Sequence, residues 1–202
     1  PVGTRESQFC NSFKTMGSCQ KVQKEKEEQK EMRENILEGG CGCENKEAAE
    51  PLFEDYIGTT RALQHWFHAA HHVTRGAGFV GDHIHLYGEI YTKIQEDIDV
   101  AIEKAISILE DERIACPIRL TRYAAEVLEE YPSPSEHTAL GIAASGKMLL
   151  KGYLEYLEFL CAALKEVGAM TLGLEDHIAG TANAYETFLY MLQQREKSEL
   201  QN

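Results

Sequence analysis

Apolar residues recur with a helical period along most of the chain from residue 49 onward. The spacing predicts four long helices, over about 51–75, 82–111, 134–167 and 171–197. In the second range the apolar positions return every three or four residues, at Ile84, Tyr87, Ile90, Tyr91, Ile94, Ile98, Ala101, Ile102, Ala105 and Leu109. No stretch of useful length alternates apolar and polar residues as a β-strand does. The pattern therefore predicts an all-α fold.

Local signals predict where the helices begin and end. Pro51 suits the first turn of a helix, and Asp82 follows the glycine-rich turn RGAGFVG (75–81) as an N-cap. The run Ser-Pro-Ser-Glu at 133–136 has the form of a capping box and predicts the start of the third helix. Gly168 is expected to end that helix.

The connections between the helices are unequal in length. Short turns join the first helix to the second and the third to the fourth, which favours two antiparallel hairpins. The connection between the hairpins has about 25 residues and includes a short predicted helix at about 118–130. It is long enough to cross a bundle of helices that are each about 40 Å long. These features predict a ferritin-like antiparallel four-helix bundle with a short helix in the long crossover.

The first 48 residues differ from the rest of the chain. They contain few large apolar residues, and 21–39 is a mixed-charge run that is typical of a solvated helix. We expect 1–48 to be a charged arm with several cysteines and 49–202 to be the helical domain. A ferritin-like subunit does not need such an arm, so it is a candidate docking segment for a protein partner.

Charge narrows the classes of partner. The chain has 33 acidic and 20 basic residues, a formal net charge of −13, of which the arm contributes −1. Such a surface repels nucleic acid and attracts cations, so we expect no strong nucleic-acid binding. No apolar run approaches the roughly 18–20 residues of a membrane span. Pro1 fits removal of an initiator methionine or a trimmed chain. We expect a cytoplasmic protein, or one inside a cell-derived or viral particle.

Six cysteines are too few and too unevenly placed for a disulfide-scaffolded fold. Cys161 lies within an apolar helical pattern, which predicts a buried free thiol. Four others lie in the arm, at Cys10, Cys19, Cys41 and Cys43. They form a zinc site, disulfides or free thiols, and their spacing does not match a C-x-x-C finger.

Histidines cluster where the first predicted helix turns into the second. Six of the eight lie between 65 and 85, at His65, His68, His71, His72, His83 and His85. The second helix then provides carboxylates, among them Glu89, Asp99 and Glu103. A lone helical histidine is usually a partly exposed polar residue. Imidazoles together with carboxylates, however, form a ligand set that suits Fe(II), Mn(II) or Zn(II).

The stretch 71–106, HHVTRGAGFVGDHIHLYGEIYTKIQEDIDVAIEKAI, resembles the central motif of the Dps proteins, the mini-ferritins. In that family a histidine precedes a glycine-containing turn with a phenylalanine, and a second histidine follows twelve residues after the first. Here His71 and His83 stand twelve apart around RGAGF. Asp99 and Glu103 match the family's D-x-x-x-E pair.

The C-terminal part, 171–195, resembles the last helix of the same family, and the likeness covers about 49–197. The resemblance implies that two histidines of one subunit share an iron centre with the Asp/Glu pair of its two-fold partner. It also implies a homo-oligomeric shell of twelve subunits, built from dimers, that oxidises Fe(II) with peroxide or oxygen. Such a ferroxidase would store the iron as mineral and protect against oxidative stress.

The motif departs from the family in two places. Tyr87 stands four residues after His83, where the family has an acid. Asp99 and Glu103 follow His83 by sixteen and twenty residues, one more than in the family. One extra residue rotates a helical side chain by about 100°. Either the turn carries an insertion, or a π-bulge in the second helix absorbs the residue.

With a longer turn, His85 or His83 would serve as the second histidine, and Glu89 would replace the missing acid. His85 and Glu89 are four residues apart, so they share a helix face. The predicted metal ligands are His71, His83, His85, Glu89, Asp99 and Glu103.

Two further functions compete with iron oxidation. The departures from the motif and the unusual arm fit a non-catalytic ferritin-like scaffold whose arm docks a partner. A di-metal centre within one chain would need Glu-x-x-His on two helices. The sequence lacks that motif, since Glu175 precedes His177 by only two residues.

Overall fold

The computed structural model of the protein describes residues 42–199, and the side chains of 45–197. This part of the chain is helical and contains no strand, which confirms the all-α prediction. Its α-helices are α1 (Gly42–Val73), α2 (Glu89–Leu109), α3 (Pro117–Glu129), α4 (Ala139–Glu166) and α5 (Leu172–Glu199). A π-helical segment, Gly81–Gly88, leads directly into α2, and 3₁₀ turns lie at Glu112–Ala115 and Pro134–Glu136. None of these helices is long and apolar enough to cross a membrane.

Helices α1 and α2 form an antiparallel hairpin. His71, in the last turn of α1, contacts His83 in the π-segment at the connected end of the hairpin. At the opposite end, Lys46 Nζ lies 2.5 Å from Glu110 Oε2, just beyond the end of α2. Contacts at both ends show that the two helices run in opposite directions.

Helices α4 and α5 form a second antiparallel hairpin. Lys165 Nζ lies 2.5 Å from Glu175 Oε1 beside the connecting turn, and Lys147 pairs with Glu196 at the far end. Gly168, at φ +69°, occupies the turn in the left-handed region that glycine tolerates.

Polar contacts of side chains also join the hairpins. Thr60 Oγ1 lies 2.5 Å from the Tyr153 hydroxyl, which connects α1 to α4. Arg195 Nε donates to both carboxylate oxygens of Asp82, at 2.8 and 2.9 Å, which connects α5 to the π-segment. Asp82 was predicted to be a helix N-cap, but it is buried and holds this ion pair instead.

The core is aromatic as well as aliphatic. Its largest fully buried side chains include Trp66, Tyr56, Tyr87, Tyr153, Tyr185, Phe53 and Phe67. Most apolar positions predicted on the second helix are buried or partly buried, but Ile84 is 51% exposed. The π-segment explains the error, since its extra residue shifts Ile84 out of phase with the stripe that follows.

Helix α1 begins nine residues before Pro51, its predicted start. Proline costs a helix one hydrogen bond, but Ala48 and Ala49 are strong helix formers, and Ala49 is completely buried. Packing therefore extends the helix through the proline into the range assigned to the arm. Residues 1–41 lie outside the described part of the chain.

The third long helix begins later than predicted. Within 133–136, Pro134–Glu136 forms a 3₁₀ turn, and the side chain of Ser133, which precedes the turn, makes no cap hydrogen bond. Thr138 is the N-cap of α4, and its hydroxyl accepts a hydrogen bond from the backbone N–H of Gly141 at 3.1 Å. A β-region residue with a side-chain acceptor is what a helix start requires, and Thr138 provides both.

The short helix α3 lies against α1. Arg119 donates to Glu54 at 2.6 and 2.8 Å and to Glu50 at 2.8 Å. A side chain at Gly58 would overlap the ring of Tyr123, so the two helices approach closely at this glycine. The short helix predicted at about 118–130 is present as α3, at Pro117–Glu129.

Candidate metal centre

His71 and His83 form a reciprocal pair. The Nδ1 atom of His71 lies 2.6 Å from the backbone carbonyl oxygen of His83, and Nδ1 of His83 lies 2.7 Å from that of His71. The rings are stacked, with centroids 3.7 Å apart. A carbonyl oxygen only accepts, so each Nδ1 carries the proton. In the neutral imidazoles both Nε2 atoms then keep a lone pair, which is the arrangement of metal-binding histidines.

The π-segment places His83 opposite His71. Of the two explanations for the extra residue, the structure supports the π-bulge, because Gly81–Gly88 has π-helical geometry. Helix α5 holds the π-segment through the ion pair of Arg195 with Asp82, whose side chains are 15% and 5% exposed.

Gly88 provides the space for the pair. A Cβ atom at this position would lie 2.8 Å from the carbonyl oxygen of His83 and 3.5 Å from Nδ1 of His71. Gly88 was not among the predicted site residues. A glycine within a predicted helix lowers helix stability by about 1 kcal/mol relative to alanine, so its presence there indicates a packing requirement.

Electrostatics favour the neutral form of His71. Burial lowers its pKa, and the neighbouring His83, His72 and His68 lower it further, although the hydrogen bond to the His83 carbonyl acts in the opposite direction. The neutral imidazole is the form that binds a metal ion. His71 is therefore ready to act as a ligand near neutral pH.

Both histidines line an open cleft of about 540 Å³. Glu89 and Glu96 of α2 are at its rim, and Phe188 of α5 also contributes to its wall. The cleft therefore has carboxylates from α2, although position 87 carries no acid. Tyr87 is fully buried in the core.

His85 lies apart from the reciprocal pair. It is exposed, and its Nδ1 lies 3.5 Å from Glu89 Oε1, so the two residues share a helix face as their spacing predicts. His85 lines a second, smaller cleft of about 300 Å³ together with Tyr190 and Arg195. Of the two histidines considered as the second ligand, His83 is the one that contacts His71.

Asp99 and Glu103 lie on the exposed side of α2, and Gln95 donates to Asp99 at 3.2 Å. Asp99 follows His83 by sixteen residues, which corresponds to about 24 Å along the helix, since each α-helical residue rises about 1.5 Å. Within one chain, the carboxylate pair therefore cannot share a metal ion with the histidine pair. Among the side chains of residues 45–197, no three His, Cys, Asp or Glu are grouped closely enough to hold a metal ion.

No protein-family model, curated protein or solved structure matches this chain. The likeness to the mini-ferritins therefore rests on the residues of the motif alone.

The predicted arm site lies outside the described side chains. Cys10, Cys19 and Cys41 precede the described residues, and Cys43 belongs to α1 by its backbone only. Cys161 is a free thiol as predicted, but it is only partly buried. Burial raises the pKa of this thiol, which keeps it in the weakly reactive protonated form.

The histidine cluster extends beyond the predicted ligands. His68 and His72 approach each other on α1, with 3.1 Å between their Nε2 atoms, and Tyr91 of α2 lies against the ring of His68. The spacing of four residues was visible in the sequence. The approach of the two rings depends on side-chain rotamers, which the sequence does not specify.

Proposed function

We propose that this protein is a Dps-like mini-ferritin that binds and oxidises Fe(II). The observation that carries the proposal is the reciprocal pair of His71 and His83, whose Nε2 lone pairs remain available beside an open cleft. The proposed fold is a ferritin-like four-helix bundle. Its support is the packing of two antiparallel hairpins on each other, with α3 in the connection between them.

The proposed centre is completed by a second copy of the chain. His71 and His83 provide two neutral nitrogen ligands, and Asp99 and Glu103 of the partner copy would provide carboxylate oxygens. Two features support this division. The carboxylates are exposed on α2, and the nearer of them, Asp99, lies about 24 Å along the helix from His83 of its own chain.

An apolar surface beside His83 suits such a contact. Phe79, Val80 and Ile84 are 41%, 63% and 51% exposed, and the Phe79 ring stacks on His83 with 5.0 Å between centroids. Large apolar side chains grouped in this way are typical of surfaces that a partner covers. A two-fold axis near this surface would bring α2 of one copy toward the histidines of the other.

The chemistry that this centre supports is one-electron oxidation of its substrate, Fe(II). With hydrogen peroxide as oxidant, two Fe(II) ions lose one electron each and the O–O bond breaks. The two oxygen atoms take up these electrons and two protons and leave as two water molecules. The histidines would hold and orient the ion, and the carboxylates would favour the Fe(III) product because they add negative charge.

Formal charge supports a shell that attracts iron. The chain carries −13, and this field draws Fe(II) toward a closed assembly while it repels DNA. The proposed assembly is the twelve-subunit shell of the mini-ferritins.

The test is Fe(II) oxidation by oxygen and by peroxide, followed by absorbance in the near ultraviolet. We expect the wild type to exceed the protein-free rate and Asp99→Ala/Glu103→Ala to lose that excess. Glu129→Ala/Glu130→Ala is the matched control, since it removes two exposed carboxylates at the end of α3 and should keep the wild-type rate. A wild-type rate equal to the protein-free rate would overturn the proposal.

That last outcome would favour a second function, a non-catalytic ferritin-like scaffold. The observation behind it is Tyr87, a fully buried tyrosine at the position where the family has an acid. The arm with Cys10, Cys19, Cys41 and Cys43 would then be the candidate functional segment, as a zinc site or as a docking segment for a protein partner.

A further inference from the structure

The two histidines on α1 that lie outside the proposed iron centre, His68 and His72, face each other across one helical turn. Their Nε2 atoms are 3.1 Å apart and their ring centroids 4.6 Å apart. We propose that His68 and His72 form a second, independent metal site, a two-histidine chelate for a divalent transition-metal ion such as Ni(II), Cu(II) or Zn(II).

The distance between the nitrogens fits a shared metal ion. Metal–imidazole bonds are about 2.0–2.1 Å long, so two nitrogens 3.1 Å apart subtend an angle of about 98° at the metal. This angle lies between the 90° of square-planar or octahedral sites and the 109° of tetrahedral ones. The metal ion would replace the proton of the hydrogen bond between the two Nε2 atoms and would lie beside the line that joins them, so both rings would turn toward it.

Position and packing support the site. His72 is exposed, so an ion reaches it directly from solvent. The ring of His68 packs on Tyr91, with centroids 4.7 Å apart, which restricts its rotamer and reduces the entropy that is lost on binding. Water molecules or a ligand from outside the chain would fill the remaining coordination positions.

The chemistry of the donors selects the class of ion. Two neutral imidazoles favour Ni(II), Cu(II) and Zn(II) over Mg(II) and Ca(II), which prefer oxygen ligands. The site does not depend on the proposed iron centre, because it uses neither ring of the His71 and His83 pair and needs no second copy of the chain.

The experiment is Ni(II) binding by equilibrium dialysis with full-length protein that carries no affinity tag. We expect His68→Ala/His72→Ala to bind about one equivalent per chain less than the wild type. His72→Ala, a change at an exposed position, should weaken that equivalent at least tenfold while helix content by circular dichroism stays unchanged. The arm cysteines are present in every variant, so any Ni(II) that they bind cancels in the difference.

Two comparisons make the assignment specific. His65→Ala/His137→Ala removes two other histidines and should keep the wild-type uptake. His71→Ala/His83→Ala should still bind the Ni(II) ion assigned to His68 and His72. Loss of iron oxidation and loss of Ni(II) binding can therefore be told apart.

Modification by diethyl pyrocarbonate locates the ion. Tryptic cleavage after Arg61 and Arg75 releases 62–75, which contains His68 and His72, and fragmentation distinguishes its histidines. Ni(II) should protect these two and leave His65 reactive. Equal Ni(II) uptake by wild type and His68→Ala/His72→Ala would overturn the proposal. So would a result in which Ni(II) protects other histidines from modification but not His68 and His72.

Discussion

Gly88 lies against the imidazole of His71, so closely that a Cβ atom at Gly88 would stand 3.5 Å from the Nδ1 atom of that ring. The same Cβ would be only 2.8 Å from the carbonyl oxygen of His83, which accepts the hydrogen bond from that nitrogen. The missing side chain at position 88 is thus a condition for the histidine pair.

We expect Gly88→Ala to destabilise the protein by about 1–3 kcal/mol, because the backbone around the pair must shift. This result runs against helix propensity, which favours alanine by about 1 kcal/mol. Urea denaturation measures the change. Gly180→Ala on α5, where a Cβ meets nothing within 4 Å, is the control and should stabilise by up to about 1 kcal/mol. Equal stabilisation by both substitutions would contradict the close packing at Gly88.

Loss of the ion pair between Asp82 and Arg195 should strongly destabilise the π-segment. Asp82→Ala leaves the largely buried guanidinium without this carboxylate, which should cost about 2–4 kcal/mol. Thermal unfolding measures the loss, and Asp99→Ala, at an exposed aspartate, should change stability by less than about 0.5 kcal/mol. Similar midpoints for the two variants would mean that the ion pair does not hold the segment.

Stability should fall as the pH drops from about 7 to 5. Burial is the leading cause that lowers the pKa values of His65, His71 and His177 in the folded protein. Below the ordinary histidine pKa of about 6.5, the unfolded chain therefore binds protons that the folded chain does not, and this favours unfolding. Above that pH, both states leave these histidines neutral, and the full stability is present.

Urea midpoints measured at intervals between pH 7.5 and 5 test this dependence. His177→Gln should make the decline shallower, because one of the three contributing groups no longer titrates. A midpoint that stays constant over this range would show that the three histidines bind protons equally in both states.

The exposed apolar surface formed by Phe79, Val80 and Ile84 predicts self-association. Sedimentation at micromolar concentration should show an oligomer, and Ile84→Asp should dissociate it, since a carboxylate there would be buried at the interface. Leu172→Asp, at an 85% exposed leucine at the start of α5, should leave the assembly intact. A well-folded wild-type monomer at this concentration would count against a shell.

The helices were predictable because their apolar faces are regular. The all-α class, the short helix α3 and the turn within each hairpin could be predicted from the helical period and from the positions of Gly and Pro. Local rules failed where tertiary contacts outweighed them. Burial of Ala49 extended α1 through Pro51, and Asp82 formed a buried ion pair instead of a cap.

The candidate centre was predictable only in part. The resemblance to the mini-ferritin motif pointed to His71 and His83, and the one-residue offset of Asp99 from that motif indicated a π-bulge or an insertion, of which the bulge is observed. The hydrogen bonds of the two rings, the role of Gly88 and the approach of His68 to His72 depend on rotamers and on the helix–helix distance. Periodicity does not encode either of these quantities.

The reciprocal hydrogen bonds of His71 and His83 restrict which side chains can replace these two histidines. Each side chain donates a hydrogen bond to a carbonyl oxygen, and in the proposed centre the same ring would also offer a lone pair to an iron ion. A carboxylate coordinates iron but has no hydrogen to donate, and a lysine ammonium donates but has no lone pair while charged. Imidazole meets both demands within one rigid ring, so in the proposed centre a change of ligand type at either position would also remove a hydrogen bond between α1 and the π-segment.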